Sequence, residues 1–328
     1  MPIDRLDRRL SVAPMMDWTD RHCRYFLRQF SPTALLYTEM VVARALVHGD
    51  RHRLLSFSAA EQPLALQLGG SDPGELAMAA RLGEDFGYLE INLNVGCPSD
   101  RVQGGQFGAC LMDRPALVAD CVAAIRQAVS LPVTVKTRIG IDDREDEQFL
   151  EAFVRPVAEA GCATFIIHAR KAILSGLTPK QNREIPPLNH ERACWLKARF
   201  PGLEVILNGG LVGAGDIRPF RSRLDGFMIG RAAYHDPWVL SALHRELIDP
   251  DFAAPECDDI VARMAEYAGS RLAEGVPLRA ITRHMLGMMN GRPGARAWRR
   301  LLSESAAQPG ADGRLLQQAL RTVEVASH

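Results

Sequence analysis

Eight short apolar runs, most of them rich in β-branched residues, recur over the first two thirds of the chain. They lie at 10–13, 33–38, 63–67, 88–91, 132–137, 164–167, 204–207 and 226–229. Helix-spaced apolar patterns separate most of them, such as Leu117, Val118, Cys121, Val122 and Ile125, or Phe149, Phe153, Val154 and Val157. Strands that alternate with helices return to the same end of the sheet each time, so the sheet is parallel. Eight such units predict an α/β fold, a closed (β/α)8 TIM barrel. An open doubly wound sheet would need a glycine-rich phosphate turn after its first strand, and Ala13-Pro14-Met15-Met16 is not one.

After Asp249-Pro250 the strand signal stops. Ile260, Val261, Met264, Tyr267, Ala268 and Leu272 then follow helical spacing, and Ile281, Met285, Met288 and Met289 continue it. The expected organisation is a barrel over 1–240 and a small all-helical domain over 250–328. Lysine and arginine balance aspartate and glutamate at 39 each, so net charge indicates no nucleic acid. The distribution says more. Between Arg271 and Arg300 stand seven arginines and a single acid, Glu274, a local basic surface that is either a footprint for phosphates or a solvated helix face.

The seven cysteines are odd in number and widely spaced, which predicts reduced thiols, no disulfide framework and no metal site. Arg5, Arg8 and Arg9 are followed by Asp17 and Asp20 rather than an apolar stretch, so no signal peptide is expected. No apolar run is long enough to cross a membrane. The expected location is the cytoplasm, and no obligate protein partner is indicated.

Barrel enzymes build their sites from residues at the carboxyl ends of the strands. In chain order those ends carry Pro14, Met15 and Met16; Gln67; Asn92 and Asn94; Lys136; His168; Asn208, Gly209 and Gly210; and Gly230 with Arg231. Cys97 lies on the turn that Gly96 and Pro98 force after the fourth strand. Glycine turns after strands seven and eight suit a phosphate. Carboxylate pairs, metal triads and a serine elbow are all missing from these ends, which disfavours simple hydrolysis. A lysine, a histidine, amides and a phosphate turn fit a flat cofactor with a phosphate tail, and flavin mononucleotide (FMN) fits well.

The chain resembles the tRNA-dihydrouridine synthases. The match runs through Ala13-Pro14-Met15, Asn94-Val95-Gly96-Cys97-Pro98, Val135-Lys136-Thr137-Arg138, His168-Ala169-Arg170, Asn208-Gly209-Gly210 and Gly230-Arg231, so it spans the whole barrel. Lys171-Ala172, Pro179-Lys180, Asn182-Arg183, Ile185-Pro186-Pro187-Leu188 and Ile281-Thr282-Arg283-His284-Met285-Leu286-Gly287 are similar to the family's A-type subgroup. The resemblance implies that Pro14, Met15, Met16, Gln67, Lys136, His168, Asn208, Gly209, Gly210, Gly230 and Arg231 hold FMN. It implies Cys97 as the general acid and Asn94 as a substrate contact. Lys180, Arg183, Arg296 and Arg299 would read tRNA, and NADPH would be the reductant. The reaction implied is reduction of the C5–C6 bond of a D-loop uridine, at positions 20 and 20a, with hydride from reduced FMN and a proton from Cys97. Departures from the subgroup's pattern stand at Ile173 and Gly104 and bear on loop contacts only.

Three alternatives share parts of this pattern. One is an FMN barrel reductase acting on a free pyrimidine or enone, which needs neither the arginine-rich helices nor Lys180 and Arg183. Another is a colourless lyase using Lys136 as a Schiff base. The third is a non-catalytic RNA-binding barrel, which has no use for Cys97 together with Lys136 and His168.

Overall fold

The computed structural model describes residues 6–325; Arg5 and the two chain ends lie outside the described residues. Nine strands form one parallel sheet: β1 (Leu10–Val12), β2 (Leu35–Tyr37), β3 (Val41–Val42), β4 (Leu64–Gly69), β5 (Glu90–Val95), β6 (Val133–Arg138), β7 (Thr164–His168), β8 (Glu204–Asn208) and β9 (Gly226–Ile229). β1 pairs with both β2 and β9, and β2 also pairs with β4, so eight strands close into the expected barrel. β3 is an extra two-residue strand beside the upper end of β4.

Helices cover the outside in the expected alternation. Pro73–Asp85 starts with Pro73 in its first turn, and Asp72 accepts the Glu75 N–H at 2.8 Å as its cap. Its Leu76, Ala79 and Ala80 face inward and are buried. Glu147–Glu159 is capped in the same way by Asp146 and buries Leu150, Phe153, Val154 and Val157. Each helix hides one apolar stripe against strands such as β6, whose outward residues Val133 and Val135 are buried.

Inside the barrel the side chains are unusually polar. Side chains alternate across a strand, so Glu90, Asn92 and Asn94 of β5 share the inner face with Thr134, Lys136 and Arg138 of β6. Sequence reading placed Asn92 and Asn94 after the fourth strand and Gln67 at the end of the third. β5 in fact runs on to Val95, and β4 to Gly69, so these amides belong to strand interiors. Polar inner residues interrupt the apolar run from which a strand is recognised, although the backbone ladder continues beneath them. Apolar Leu35, Tyr37, Ala65, Ile166, Ile206 and Met228 fill the remaining interior.

The chain divides into two compact units. The barrel unit takes residues 6–16, 34–211 and 215–230; the other takes 17–33, 212–214 and the described residues from 231 onward. Its helices include Arg21–Arg28, Trp238–Leu247, Cys257–Ala273, Ala295–Glu304 and Arg314–Val325. Ile260, Met264, Met285, Met288, Trp298 and Leu316 are buried in it. Asp20 caps Arg21–Arg28 by accepting the His22 and Cys23 N–H groups, and also pairs with Arg283 at 2.6 Å and His284 at 3.0 Å. Burial pushes the Asp20 carboxyl upward, but His284, the Cys23 N–H and Arg283 outweigh it and hold it well below the usual carboxylate range. Trp18 stacks on Tyr234 with ring centres 4.4 Å apart. This unit therefore includes a segment inserted between the first two barrel strands. No helix among the described residues is long and apolar enough to cross a membrane.

Candidate active site

Cys97 sits on a short loop beyond β5 whose backbone is held on every side. Asn94 Oδ1 accepts the Gly96 N–H at 3.1 Å and the Cys97 N–H at 3.0 Å. Arg138 Nε donates to the Gly96 carbonyl at 3.0 Å, Ala109 N–H to the Cys97 carbonyl at 2.9 Å, and Gln103 Nε2 to the Pro98 carbonyl at 2.9 Å. Gly108, at φ +80°, lets that neighbour come close; a Cβ there would lie 2.5 Å from the Cys97 carbonyl oxygen. The half-buried thiol donates to Ser99 Oγ at 3.6 Å. Five backbone groups of the loop are thus fixed, and the thiol rests against Ser99.

Two of those anchors reach further. Arg138 is 3% exposed and its Nη1 also donates to the carbonyls of Lys171 and Asn182. Gln103 Nε2 donates to the Leu174 carbonyl at 2.6 Å as well. Both side chains thus tie the Cys97 loop to the segment 171–188. Asn182, buried, closes that segment on itself through the Ile173 N–H and carbonyl. Lys180 and Arg183 lie on its exposed side.

Lys136, His168 and Asn208 stand on β6, β7 and β8, with His168 directly paired to Arg138 and to Asn208 in the ladder. Burial, followed by the charge of Arg138, lowers Lys136 to about 7, with Cys97 acting in the opposite sense. His168 is held well below its ordinary value by burial first, then by Arg138, Lys136, Arg170 and Arg183. Arg138 itself falls to about 10, chiefly through burial. The mouth of the barrel therefore concentrates basic groups that repel one another.

Asn208 is 6% exposed and donates to the Met228 carbonyl at 2.8 Å. Gly209 and Gly210 follow with φ of +106° and +71°. A Cβ on Gly209 would come within 2.5 Å of the His168 ring, so the turn packs directly against that histidine. A Cβ on Gly230 would meet Ala13 Cβ at 3.9 Å, an ordinary contact, and Arg231 opens the helix Arg231–His235 in the other unit. Met15 packs on the inner apolar cluster, whereas Met16 is 55% exposed. Gln67 lies below the mouth, 1% exposed, bonded to Asn92 and Asn94. Arg296 and Arg299 are exposed on the helix Ala295–Glu304 in the second unit, where Arg299 donates to Asn290 Oδ1 at 2.9 Å. Among the described residues no group of three or more His, Cys, Asp or Glu is arranged to hold a metal ion.

The family model for "Dihydrouridine synthase (Dus)" matches residues 11–324. The chain belongs to the dihydrouridine synthase family. It is 53% identical over 319 residues to a tRNA-dihydrouridine(20/20a) synthase of Xanthomonas axonopodis pv. citri, covering 97% of this chain and 95% of that one. It is 54% identical over 316 residues to a protein of the same description from Escherichia coli K12, covering 96% and 91%. Among solved structures, morphinone reductase superposes with a TM-score of 0.50 at 13% identity, over 79% of this chain and 91% of that one, a likeness of fold.

In this dihydrouridine synthase chain, sequence reasoning named Cys97, Asn94, Lys136 and His168, which the structure gathers near one end of the barrel. It assigned no part to Arg138, Gln103, Thr134 or Glu90. For Arg138 and Thr134 a signal existed: both stand two residues from Lys136, so a strand through 133–138 puts all three on one face. For Gln103 there was none.

Proposed function

We propose that this chain reduces the C5–C6 double bond of uridine 20 and 20a in the D-loop of tRNA, using bound FMN and NADPH, in the cytoplasm. The names of its relatives support the substrate. The observation that carries the chemistry is the immobilised Cys97 loop beside a mouth where burial and mutual repulsion lower the basic groups Lys136, Arg138 and His168. Such a mouth favours an anionic ligand, and FMN satisfies it with its phosphate and with the negative charge of its reduced ring. Lys136, His168, Asn208, Gly209, Gly210, Gly230 and Arg231 would hold it, with Pro14, Met15, Met16 and Gln67 beneath or beside it. When bound and reduced, FMN supplies the hydride for C6 of the uracil.

The chain's residues do the rest. The Cys97 thiol gives its proton to C5 and becomes a thiolate. Lys136 and Arg138 stabilise that thiolate, since both are coupled to Cys97 by charge. Asn94 has its oxygen on the Cys97 loop and one N–H on Gln67, which leaves one N–H for a uracil carbonyl. The target base must leave its stack to reach this depth. Lys180, Arg183, Arg296 and Arg299 contact tRNA phosphates and fix its orientation.

The test is the visible spectrum of the purified protein, followed anaerobically with NADPH and then unmodified tRNA. A flavin spectrum bleached by NADPH and restored by tRNA is the expected result. Restoration only by a small enone would replace tRNA as substrate. A colourless protein after reconstitution with FMN, trapped by borohydride at Lys136, would overturn the redox reading.

A further inference from the structure

A single run of side-chain hydrogen bonds descends from the Cys97 loop to the floor of the barrel. Asn94 accepts the Gly96 and Cys97 N–H groups and donates from Nδ2 to Gln67 Oε1 at 2.9 Å. Gln67 Nε2 donates to Asn92 Oδ1 at 2.7 Å, and Asn92 Nδ2 donates to Thr134 Oγ1 at 2.8 Å. Thr134 Oγ1 donates to Glu90 Oε1 at 2.7 Å. Glu90, 0% exposed, also accepts from Tyr37 at 2.6 Å and from Arg8 Nε at 2.7 Å.

The two ends impose one direction on the whole run. Backbone N–H groups only donate, so Asn94 must turn its oxygen upward. A carboxylate only accepts, so Thr134 must donate downward. Each amide between them then has a single orientation, and the spare N–H groups of Asn94 and Gln67 are left for the mouth. Thr134 is the junction, because a hydroxyl alone in this run both receives from the amides and gives to the carboxylate.

We infer that Thr134 is a positioning residue for proton delivery by Cys97, acting through Asn92, Gln67 and Asn94. The inference rests on Cys97 being the acid of the proposed reaction. Thr134 touches neither the thiol nor the mouth and is 1% exposed. Valine in its place keeps the shape and removes the junction. Asn92 would then have an N–H with no acceptor, and Gln67 and Asn94 would lose their fixed support. A loosened Asn94 frees the Cys97 loop to open more often.

The test compares Thr134→Val with Thr134→Ser in the FMN-loaded enzyme. One measurement is the rate of iodoacetamide alkylation at Cys97 across pH, read by mass spectrometry on its peptide; the other is kcat and KM for tRNA. For Thr134→Val, alkylation should rise about threefold or more and kcat fall about tenfold at unchanged KM, while Thr134→Ser restores both. If Thr134→Val does not fold, Asn92→Ala cuts the run one link higher and should give the same pair of changes. Wild-type alkylation and kcat in a valine variant that is merely less stable would overturn the inference. A wild-type protein that binds no FMN would overturn the functional reading instead, and the alkylation rates of the ligand-free proteins would still decide whether the run supports Cys97.

Discussion

The floor and the mouth of this barrel both bury basic side chains on the inner face, and treat them in opposite ways. At the floor, Arg8 meets Glu90 at 2.7 Å and Glu204 at 3.0 Å, and Thr164 completes Glu204. Burial acts against the Arg8 charge, but Glu90 and Glu204 outweigh it and raise Arg8 above its ordinary value. At the mouth, half-buried Lys136 and His168 flank buried Arg138, and all three are lowered. The floor is internally neutralised and holds the strands together. The mouth keeps an electrostatic deficit that a ligand can relieve, so part of the fold's stability is held back for binding.

That contrast is open to direct attack. Cys97→Ala should leave the flavin spectrum and its reduction by NADPH intact while dihydrouridine formation falls about 10²–10⁴-fold. A variant that keeps normal turnover would remove Cys97 as the acid. Arg8→Met should do the reverse, lowering the stability read from urea unfolding by about 3–5 kcal/mol by leaving Glu90 buried without its cation. A change under 1 kcal/mol there would show that the floor ion pair does not stabilise the barrel.

Lys136→Met should stabilise the FMN-free protein by about 1 kcal/mol near pH 6 while abolishing tight FMN binding. The sign follows from a folded value of about 7 against 10.5 for the ordinary lysine. Below pH 7 both states carry the proton and the folded state bears the full cost of a buried charge. Between pH 7 and 10.5 the unfolded state binds more protons, so wild-type stability rises with pH and the variant's advantage shrinks. Urea midpoints at pH 6 and pH 10 measure it, and an advantage that grows with pH would contradict the mouth's assignment. The smallest effect belongs to cations that are exposed. Arg296→Ala or Arg299→Ala should each weaken tRNA binding and reduce the slope of log affinity against log salt by about 1. An unchanged slope in both would take them out of the tRNA contact.

The barrel was legible because its outer faces are apolar. Runs such as 132–137 and 164–167 present valine, isoleucine and phenylalanine on the side that meets helices. The inner face was far less legible. Asn92 and Asn94 read as loop because amides break an apolar run, although they are strand residues whose partners come from β4 and β6. Glu90, Arg8 and Glu204 are separated by up to 196 residues, and nothing local marks them as partners. Segment 17–33 read as part of the barrel for the same reason: the residues that enclose it follow some two hundred positions later. The reactive loop was legible from glycine and proline around Cys97, but the side chains that pin its carbonyls were not.

The division of the helical unit has a consequence for how the protein is made. Asp20 waits for Arg283 and His284, which follow 263 and 264 residues later. Phe30 waits for Trp238, whose ring meets it edge-on at 5.0 Å. A ribosome adding about 5–20 residues per second leaves segment 17–33 without most of its packing partners for roughly 10–50 s. During that interval Cys23, Phe26 and Phe30, all buried in the finished protein, face water or a chaperone. Arg21–Arg28, made before every other helix of the described residues, is thus among the last to be sheltered, and a nascent chain stalled before residue 238 would carry an exposed aromatic segment that the folded protein hides.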